Sequence, residues 1–224
     1  MKTVVGSNRS NPALIIHYRP LLTSFGAILL ALWGVGARAK HEPHAYKAWE
    51  RALMRTLKRA APSKDAPLMR LPSWIGTGGF LPLDSLILLL LMARKRHDAA
   101  QFFGFSVGGM VALRELAKRL VRRRRPSLWA KLGLEHKATR SFPSGHAMGA
   151  MTLIATLSSM AWPTRWRWPA LLLGGPFVLL VGVSRIVREE HYPFDVLVGW
   201  VAALVWVRGC DTWVAREPNA RRAG

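Results

Sequence analysis

The chain has 224 residues, half of them hydrophobic, with 33 Lys plus Arg against 12 Asp plus Glu and a formal net charge of +21. Such a charge ordinarily points to a polyanion, but here the basic residues sit in short clusters between long uncharged runs, as they do around membrane spans, so no nucleic-acid partner is expected. Cys210 is the only cysteine, which excludes an internal disulfide and a cysteine-based metal site.

Residues 1–20 are polar and mixed and do not read as a cleavable signal, so the first apolar run, from Leu21, is expected to be a retained span. A helix needs about 20 mainly apolar residues to cross a bilayer. Six segments qualify: 21–37, 71–93, 99–113, 142–164, 168–184 and 192–207. The second is uncharged except for Asp84, expected to cap or to pair with a bundle partner. The third is short and is expected to continue past Arg114. Gly174, Gly175 and Pro176 bend the fifth, and Asp195 lies in the first turn of the sixth. Trp74, Trp129, Trp162, Trp166 and Trp168 fall near span ends, where indole rings favour the headgroup level. Gly104 with Gly108, and Gly145 with Gly149, have a spacing that permits close helix packing and also arises by chance.

Residues 43–60 read as a surface helix, with Tyr46, Trp49, Leu53 and Leu57 on one face and Lys47, Arg51, Arg55, Lys58 and Arg59 around the rest. It either lies in the membrane plane against anionic lipid or connects spans as a solvated helix. The expected fold is all-α: a polytopic membrane bundle of about six transmembrane helices with one interfacial amphipathic helix. Residues 1–70 form the N-terminal span and surface helix, 71–214 the membrane core, and 215–224 a disordered tail.

Three polar clusters carry the chemistry. The first is Lys118-Arg-Leu-Val-Arg-Arg-Arg-Arg125-Pro126. Lys118 and Arg125 are two helical turns apart and would share a face, with Pro126 ending the helix. Two such cations suit a phosphate; flanking charge beside a span is the alternative. The second is Ser141-Phe-Pro-Ser-Gly-His146, with Pro143 expected at the first helical position. The N–H groups of Ser144, Gly145 and His146 would then form an anion site, with the Ser144 hydroxyl as a further donor. His146 is placed to give or take a proton, or else is a polar side chain at a span end. The third is Ser184-Arg185-Ile-Val-Arg-Glu-Glu-His191-Tyr-Pro-Phe-Asp195. Its spacing brings the Asp195 carboxylate to one nitrogen of His191 and leaves the other free to attack, while Arg185 adds a third cation. An acidic residue in a membrane span is costly and usually functional.

Together these read Lys, six residues, Arg-Pro; then Pro-Ser-Gly-His; then Ser-Arg, five residues, His, three residues, Asp. The chain resembles the type-2 phosphatidic acid phosphatase superfamily, which includes membrane lipid phosphatases, soluble acid phosphatases and vanadium haloperoxidases. With the apolar spans, the resemblance is to the six-span lipid phosphatase branch and covers residues 71–214. It implies that His191 becomes a phosphohistidine, that Asp195 orients it, and that His146 protonates the leaving group and then activates water. Lys118, Arg125, Ser144, Gly145 and Arg185 would hold the phosphoryl oxygens. Three cations and a helix N-terminus supply the charge stabilisation, so neither metal nor cofactor is expected. The loop pair His41 and His44 lacks further ligand spacing and reads as polar loop.

The implied partners are membrane lipids and a lipid phosphate or pyrophosphate substrate: undecaprenyl pyrophosphate first, phosphatidic acid or phosphatidylglycerol phosphate next. A lipid phosphotransferase using the same site, and a catalytically silent lipid-binding protein, are the alternatives. No oligomeric state follows. Where relatives are small and apolar before the nucleophilic His, this chain has Glu189 and Glu190, expected to raise the pKa of His191, to bind a headgroup amine, or to pair with Arg188. The resemblance implies a bacterial plasma membrane protein with an extracytoplasmic site. Against it, a cytoplasmic N-terminus with six spans leaves 12 Lys plus Arg in cytoplasmic segments and 21 on the site's side, contrary to the positive-inside rule. Arg119 and Arg122 to Arg124 holding substrate, together with the basic surface helix, would account for the excess.

Overall fold

The computed structural model describes residues 12–41, 45–63, 66–74, 80–123, 125–126, 140–162 and 164–222. Among these are eight α-helices and no strand: α1 (Pro12–His41), α2 (Ala45–Ala60), α3 (Pro67–Trp74), α4 (Phe80–Ala93), α5 (His97–Val121), α6 (Gly145–Ala161), α7 (Arg167–Val187) and α8 (Pro193–Arg222). Three are long and apolar enough to cross a membrane, over Leu21–Arg38, Arg167–Val187 and Pro193–Val214. At 1.5 Å per residue the 21 residues of α7 reach about 31 Å, the thickness of the hydrocarbon core. The other expected spans are shorter or more charged. α4 has 14 residues and α6 has 17, and α5 carries Arg114, Glu115, Lys118 and Arg119 towards its end. The helix expected over 71–93 is divided, its first residues belonging to α3. α8 remains helical through Arg222, across most of the segment expected to be a disordered tail.

The outward surface is apolar. Leu22, Leu30, Leu86, Leu89, Leu172, Leu197 and Val201 are exposed, and Leu173 is 74 % exposed. Lipid tails solvate such a belt, whereas water would drive it to associate. Inside, α1, α5 and α8 share one apolar core through Leu32, Met110, Leu113 and Trp206, and α5, α6 and α7 share another through Phe103, Leu153 and Val181. Close approaches fall at Gly109 and Gly182, outside the expected pairs, and at Gly145, within one of them. Trp206 lies where a Cβ on Gly109 would point and Trp200 where one on Gly182 would, while a Cβ on Gly108 would meet nothing within 4 Å. Trp206 Nε1 donates to the Ser106 carbonyl at 3.0 Å, locking the ring across α5.

The expected α2 faces are redistributed. Glu50 is fully buried, and Met54 and Leu57 pack against Ala147, Ile186 and Val196 of the bundle. Trp49 and Leu53 remain 38 % and 37 % exposed. One side of α2 therefore docks on the bundle and another offers apolar side chains to its surroundings. Trp162, Trp166 and Trp168 are exposed at the α6–α7 turn, and Arg167 lies over the rings of Trp162 and Trp168. Trp129 and His44 lie outside the described residues.

Candidate active site

The C-terminal ends of α5 and α7 meet the N-terminal ends of α6 and α8, which brings the three polar clusters into one place. Backbone hydrogen bonds join them. Ser141 N–H donates to the Arg123 carbonyl at 2.8 Å, and Ser144 N–H donates to the Asp195 carbonyl at 3.1 Å. α5 ends at Val121 with Arg122 in the left-handed conformation, so Lys118 and Arg125 converge through a turn and not, as expected, on one helical face.

α6 begins at Gly145, later than expected. Ser144 is its N-cap, accepting from Ala147 N–H at 3.5 Å, and Pro143 lies outside the helix. Because the Ser144 N–H is used by Asp195, the open donors of the first turn are those of Gly145 and His146. A Cβ on Gly145 would lie 2.9 Å from Arg114 Cδ and 3.6 Å from Lys118 Nζ, so glycine is what lets two cationic side chains reach the helix start. His146 faces Arg185, Lys118, Arg125 and Arg114, and its buried Nε2 has no hydrogen-bond partner among the described residues.

His191, 2 % exposed, sits in the turn between α7 and α8. Its Nδ1 lies 2.6 Å from the Ser141 carbonyl oxygen. A carbonyl only accepts, so Nδ1 carries the proton and Nε2 the lone pair. The expected direct bond to Asp195 is absent: the nearer carboxylate oxygen is 3.9 Å from Nδ1, beyond hydrogen-bond range. Burial above all, then Arg125, His146 and Lys118, holds the His191 imidazole well below its ordinary pKa, against the opposing Ser141 carbonyl.

Asp195 is fully buried and fully engaged. Oδ2 accepts from Tyr192 N–H at 3.0 Å, and Oδ1 accepts from Arg123 Nη1 at 2.5 Å. The Ser141 hydroxyl also bonds to it. Arg123, expected to reach substrate, is 4 % exposed and turned inwards; its Nη2 donates to Glu50 Oε2 at 2.7 Å. Glu50 Oε1 in turn accepts from Phe194 N–H at 3.2 Å, and Tyr192 stacks on Arg123 at 4.2 Å. Burial pushes the Glu50 carboxyl up and Arg123 opposes; with both oxygens accepting, the ionised form fits the geometry.

Arg185, 1 % exposed, donates to Glu190 Oε2 at 2.7 Å and to Ser184 Oγ at 3.2 Å. Glu190 also accepts from Arg188 at 2.9 Å, so of the readings for the two glutamates the pairing with Arg188 holds for Glu190. Glu189 instead meets Lys58 of α2 at 2.6 Å, from a left-handed backbone. Asp84 Oδ1 is buried and finds no partner among the described residues, contrary to the expected pairing. Also among the described residues, no three His, Cys, Asp or Glu side chains gather as a metal would require.

Sequence reasoning missed Glu50, Arg114 and the Ser141 carbonyl, and gave Arg123 the wrong surroundings. The one usable signal was the lone acid at Glu50, on what becomes the docked side of a basic helix.

A solved structure described as the first transmembrane PAP2 type phosphatidylglycerolphosphate phosphatase, from Bacillus subtilis, superposes with a TM-score of 0.66 at 24 % identity, covering 87 % of this chain and 96 % of that one. At that identity the likeness shows the fold: a polytopic, all-helical membrane bundle. An undecaprenyl-diphosphatase of Sulfolobus acidocaldarius is 31 % identical over 129 residues, 54 % of this chain and 57 % of that protein. The undecaprenyl-diphosphatase BcrC of Bacillus subtilis is 36 % identical over 72 residues, 32 % of this chain and 34 % of that protein. Phosphatidylglycerophosphatase B of Bacillus subtilis is 26 % identical over 153 residues, 63 % of this chain and 66 % of that protein. The chain thus spans between a third and two thirds of the curated relatives it matches. The PAP2 superfamily matches residues 99–218, more than half the chain and all three polar clusters, and the chain belongs to it.

Proposed function

We propose that the chain is a membrane phosphatase that hydrolyses a phosphomonoester or pyrophosphate carried by a lipid, through a phosphohistidine. The observation that carries this reading is His191 itself: Nδ1–H is held by the Ser141 carbonyl at 2.6 Å, and burial keeps the ring neutral, so Nε2 is a nucleophile at ordinary pH. In the first step Nε2 bonds to phosphorus and the P–O bond to the leaving oxygen breaks, that oxygen taking a proton from His146, which is protonated once the substrate's negative phosphate offsets the four cations around it. The ring keeps its Nδ1 proton and becomes cationic, facing Asp195. A water then gives a proton to His146 and bonds to phosphorus. The P–N bond breaks, and its electron pair returns to Nε2. Lys118, Arg125, Arg185 and the Gly145 and His146 N–H groups counter the charge spread over the phosphoryl oxygens. Ser144 serves by capping α6.

The relatives' names support a polyprenyl pyrophosphate, undecaprenyl pyrophosphate first, ahead of phosphatidylglycerol phosphate and phosphatidic acid. The membrane is a bacterial plasma membrane and the site faces outwards. The test is the purified full chain in detergent with each lipid phosphate alone, in excess chelator. Expected are free phosphate, inhibition by vanadate, and an acid-labile phosphoryl label that His191→Ala abolishes. Activity lost in chelator and restored by magnesium or zinc, or label that passes only to a second lipid, contradicts the reading.

A further inference from the structure

A buried acid beside the site has no part in these steps. Glu50 belongs to α2, outside residues 99–218, where the family match lies, yet it is as buried as Asp195, at 0 % exposure. Its carboxylate reaches Asp195 through Arg123, which donates 2.7 Å to Glu50 and 2.5 Å to Asp195. A carboxylate that must stabilise a cationic imidazole is weakened by a guanidinium bonded to it, because the pair is neutral as a unit. Adding Glu50 restores one net negative charge to the trio of Glu50, Arg123 and Asp195. The trio is also geometrically over-determined. Tyr192 N–H and Phe194 N–H hold the remaining carboxylate oxygens, and Tyr192 stacks on the guanidinium. α2 is pinned to the same turn a second time, by Lys58 on Glu189.

We propose that Glu50 is a positioning residue for the phosphoryl-transfer step, acting through Arg123 and Asp195 to keep net negative charge behind His191 when its ring becomes cationic. Among the described residues Glu50 bonds to Arg123 and to the Phe194 N–H, and not to His191. The charged and titratable groups facing His191 are Asp195 from α8, Lys118 from α5, His146 from α6 and Arg125 from the α5–α6 connection, with Ser141 supplying its carbonyl. Of these only Asp195 is negative, and Glu190, next to His191 in sequence, is paired with both Arg185 and Arg188, so the charge on the trio is what favours the cationic intermediate.

The proposal rests on the phosphatase reading, and the experiment separates the two. Glu50→Gln and Glu50→Asp are made in the full chain, checked for folding by thermal unfolding in detergent, and assayed for kcat, KM and the single-turnover rate of phosphohistidine formation. Glu50→Gln, neutral and nearly isosteric, should lower kcat and the phosphorylation rate about 10- to 100-fold, by analogy with the loss seen when the carboxylate behind a metal-bound histidine is removed. KM should stay within about twofold and Glu50→Asp should recover most of the rate, because charge and not packing is at issue. A folded Glu50→Gln with wild-type rates overturns the proposal, as does an equal loss in Glu50→Asp or a change confined to KM. If Glu50→Gln does not accumulate, Glu50→Gln with Arg123→Gln replaces it. That pair removes one charge of each sign and leaves the net charge of the trio unchanged, so a kcat within about tenfold of wild type supports the proposal and a deeper loss overturns it. A wild-type protein that releases no phosphate from any lipid sinks the phosphatase reading and takes this role down with it.

Discussion

His191 and Asp195 stand in a different relation from the one their four-residue spacing implies. A carboxylate bonded to an imidazole fixes its tautomer, and losing that function costs about 10⁴ in kcat in the serine-protease triad. Here the Ser141 carbonyl holds the Nδ1 proton at 2.6 Å, and Asp195 acts across 3.9 Å. The interaction lost in Asp195→Asn is then mainly Coulombic, about 4 kcal/mol at an effective dielectric constant of 20, or roughly 10³ in rate. We expect a loss near that figure for Asp195→Asn and complete loss for His191→Ala, both read as single-turnover rates. An Asp195→Asn variant at half the wild-type rate would remove Asp195 from the mechanism. The protonation of His191 is a second residue-scale prediction. Because its pKa lies well below 6.5, the neutral ring persists as pH falls through 6.5 and is lost only at more acid pH. Nitrogen NMR of histidine-labelled protein, assigned with His191→Ala, should show no titration of this ring between pH 8 and 6.5. A midpoint at or above 6.5 would show that the ring is neither desolvated nor crowded by cations.

At the scale of elements, the interfaces between helices are set by individual glycines. Gly109 lies under the Trp206 ring, while a Cβ on its neighbour Gly108 would meet nothing within 4 Å. An alanine at 109 forces Trp206 off its hydrogen bond to Ser106, whereas an alanine at 108 meets open space. Gly109→Ala should destabilise by about 1–3 kcal/mol, the usual cost of overpacking. Gly108→Ala should be neutral or gain up to about 1 kcal/mol from helix propensity. Thermal unfolding of both in the same detergent decides it, and equal midpoints would mean that α5 and α8 do not pack through Gly109. α2 is the other element whose role depends on packing: its docked side carries Glu50, Met54 and Leu57, and Trp49 and Leu53 remain exposed.

For the whole molecule, orientation is the open quantity with the clearest test. On the six-span reading with a cytoplasmic N-terminus, 21 basic residues fall on the side of the site, which argues for a cytoplasmic site by the positive-inside rule. Several of them have local reasons to be there: Arg123 bonds Glu50 and Asp195, Arg185 and Arg188 share Glu190, and Lys58 meets Glu189. Setting these four aside leaves 17 against 12, which narrows the excess without reversing it, so the outward-facing site stands as a proposal to be tested. Arg59 is exposed at the end of α2, on the site side, and Arg94 is exposed in the turn after α4, on the other. Arg59→Cys should react with an impermeant maleimide in intact cells and Arg94→Cys only after lysis, against a low background because Cys210 is buried. The reverse pattern would place the site in the cytoplasm with its chemistry intact.

The three motifs that carry Lys118, Arg125, Ser144, Gly145, His146, Arg185, His191 and Asp195 were legible in sequence because each is a short stretch of chain, while the fold decided that they meet. The apolar runs likewise disclosed α1, α7 and α8, since span length and composition are local properties. Tertiary structure alone decided which nitrogen of His191 is free, because the Ser141 carbonyl that settles it is 50 residues away in sequence. It also decided that Arg123, one of four consecutive arginines, turns inwards, and that Glu50 is buried although it lies 144 residues from its partner Phe194. In sequence Glu50 is an acid on a basic amphipathic helix, the pattern of a solvated side chain. Burial and charge pairing belong to whatever packs against a residue, and for these groups that is a distant part of the chain.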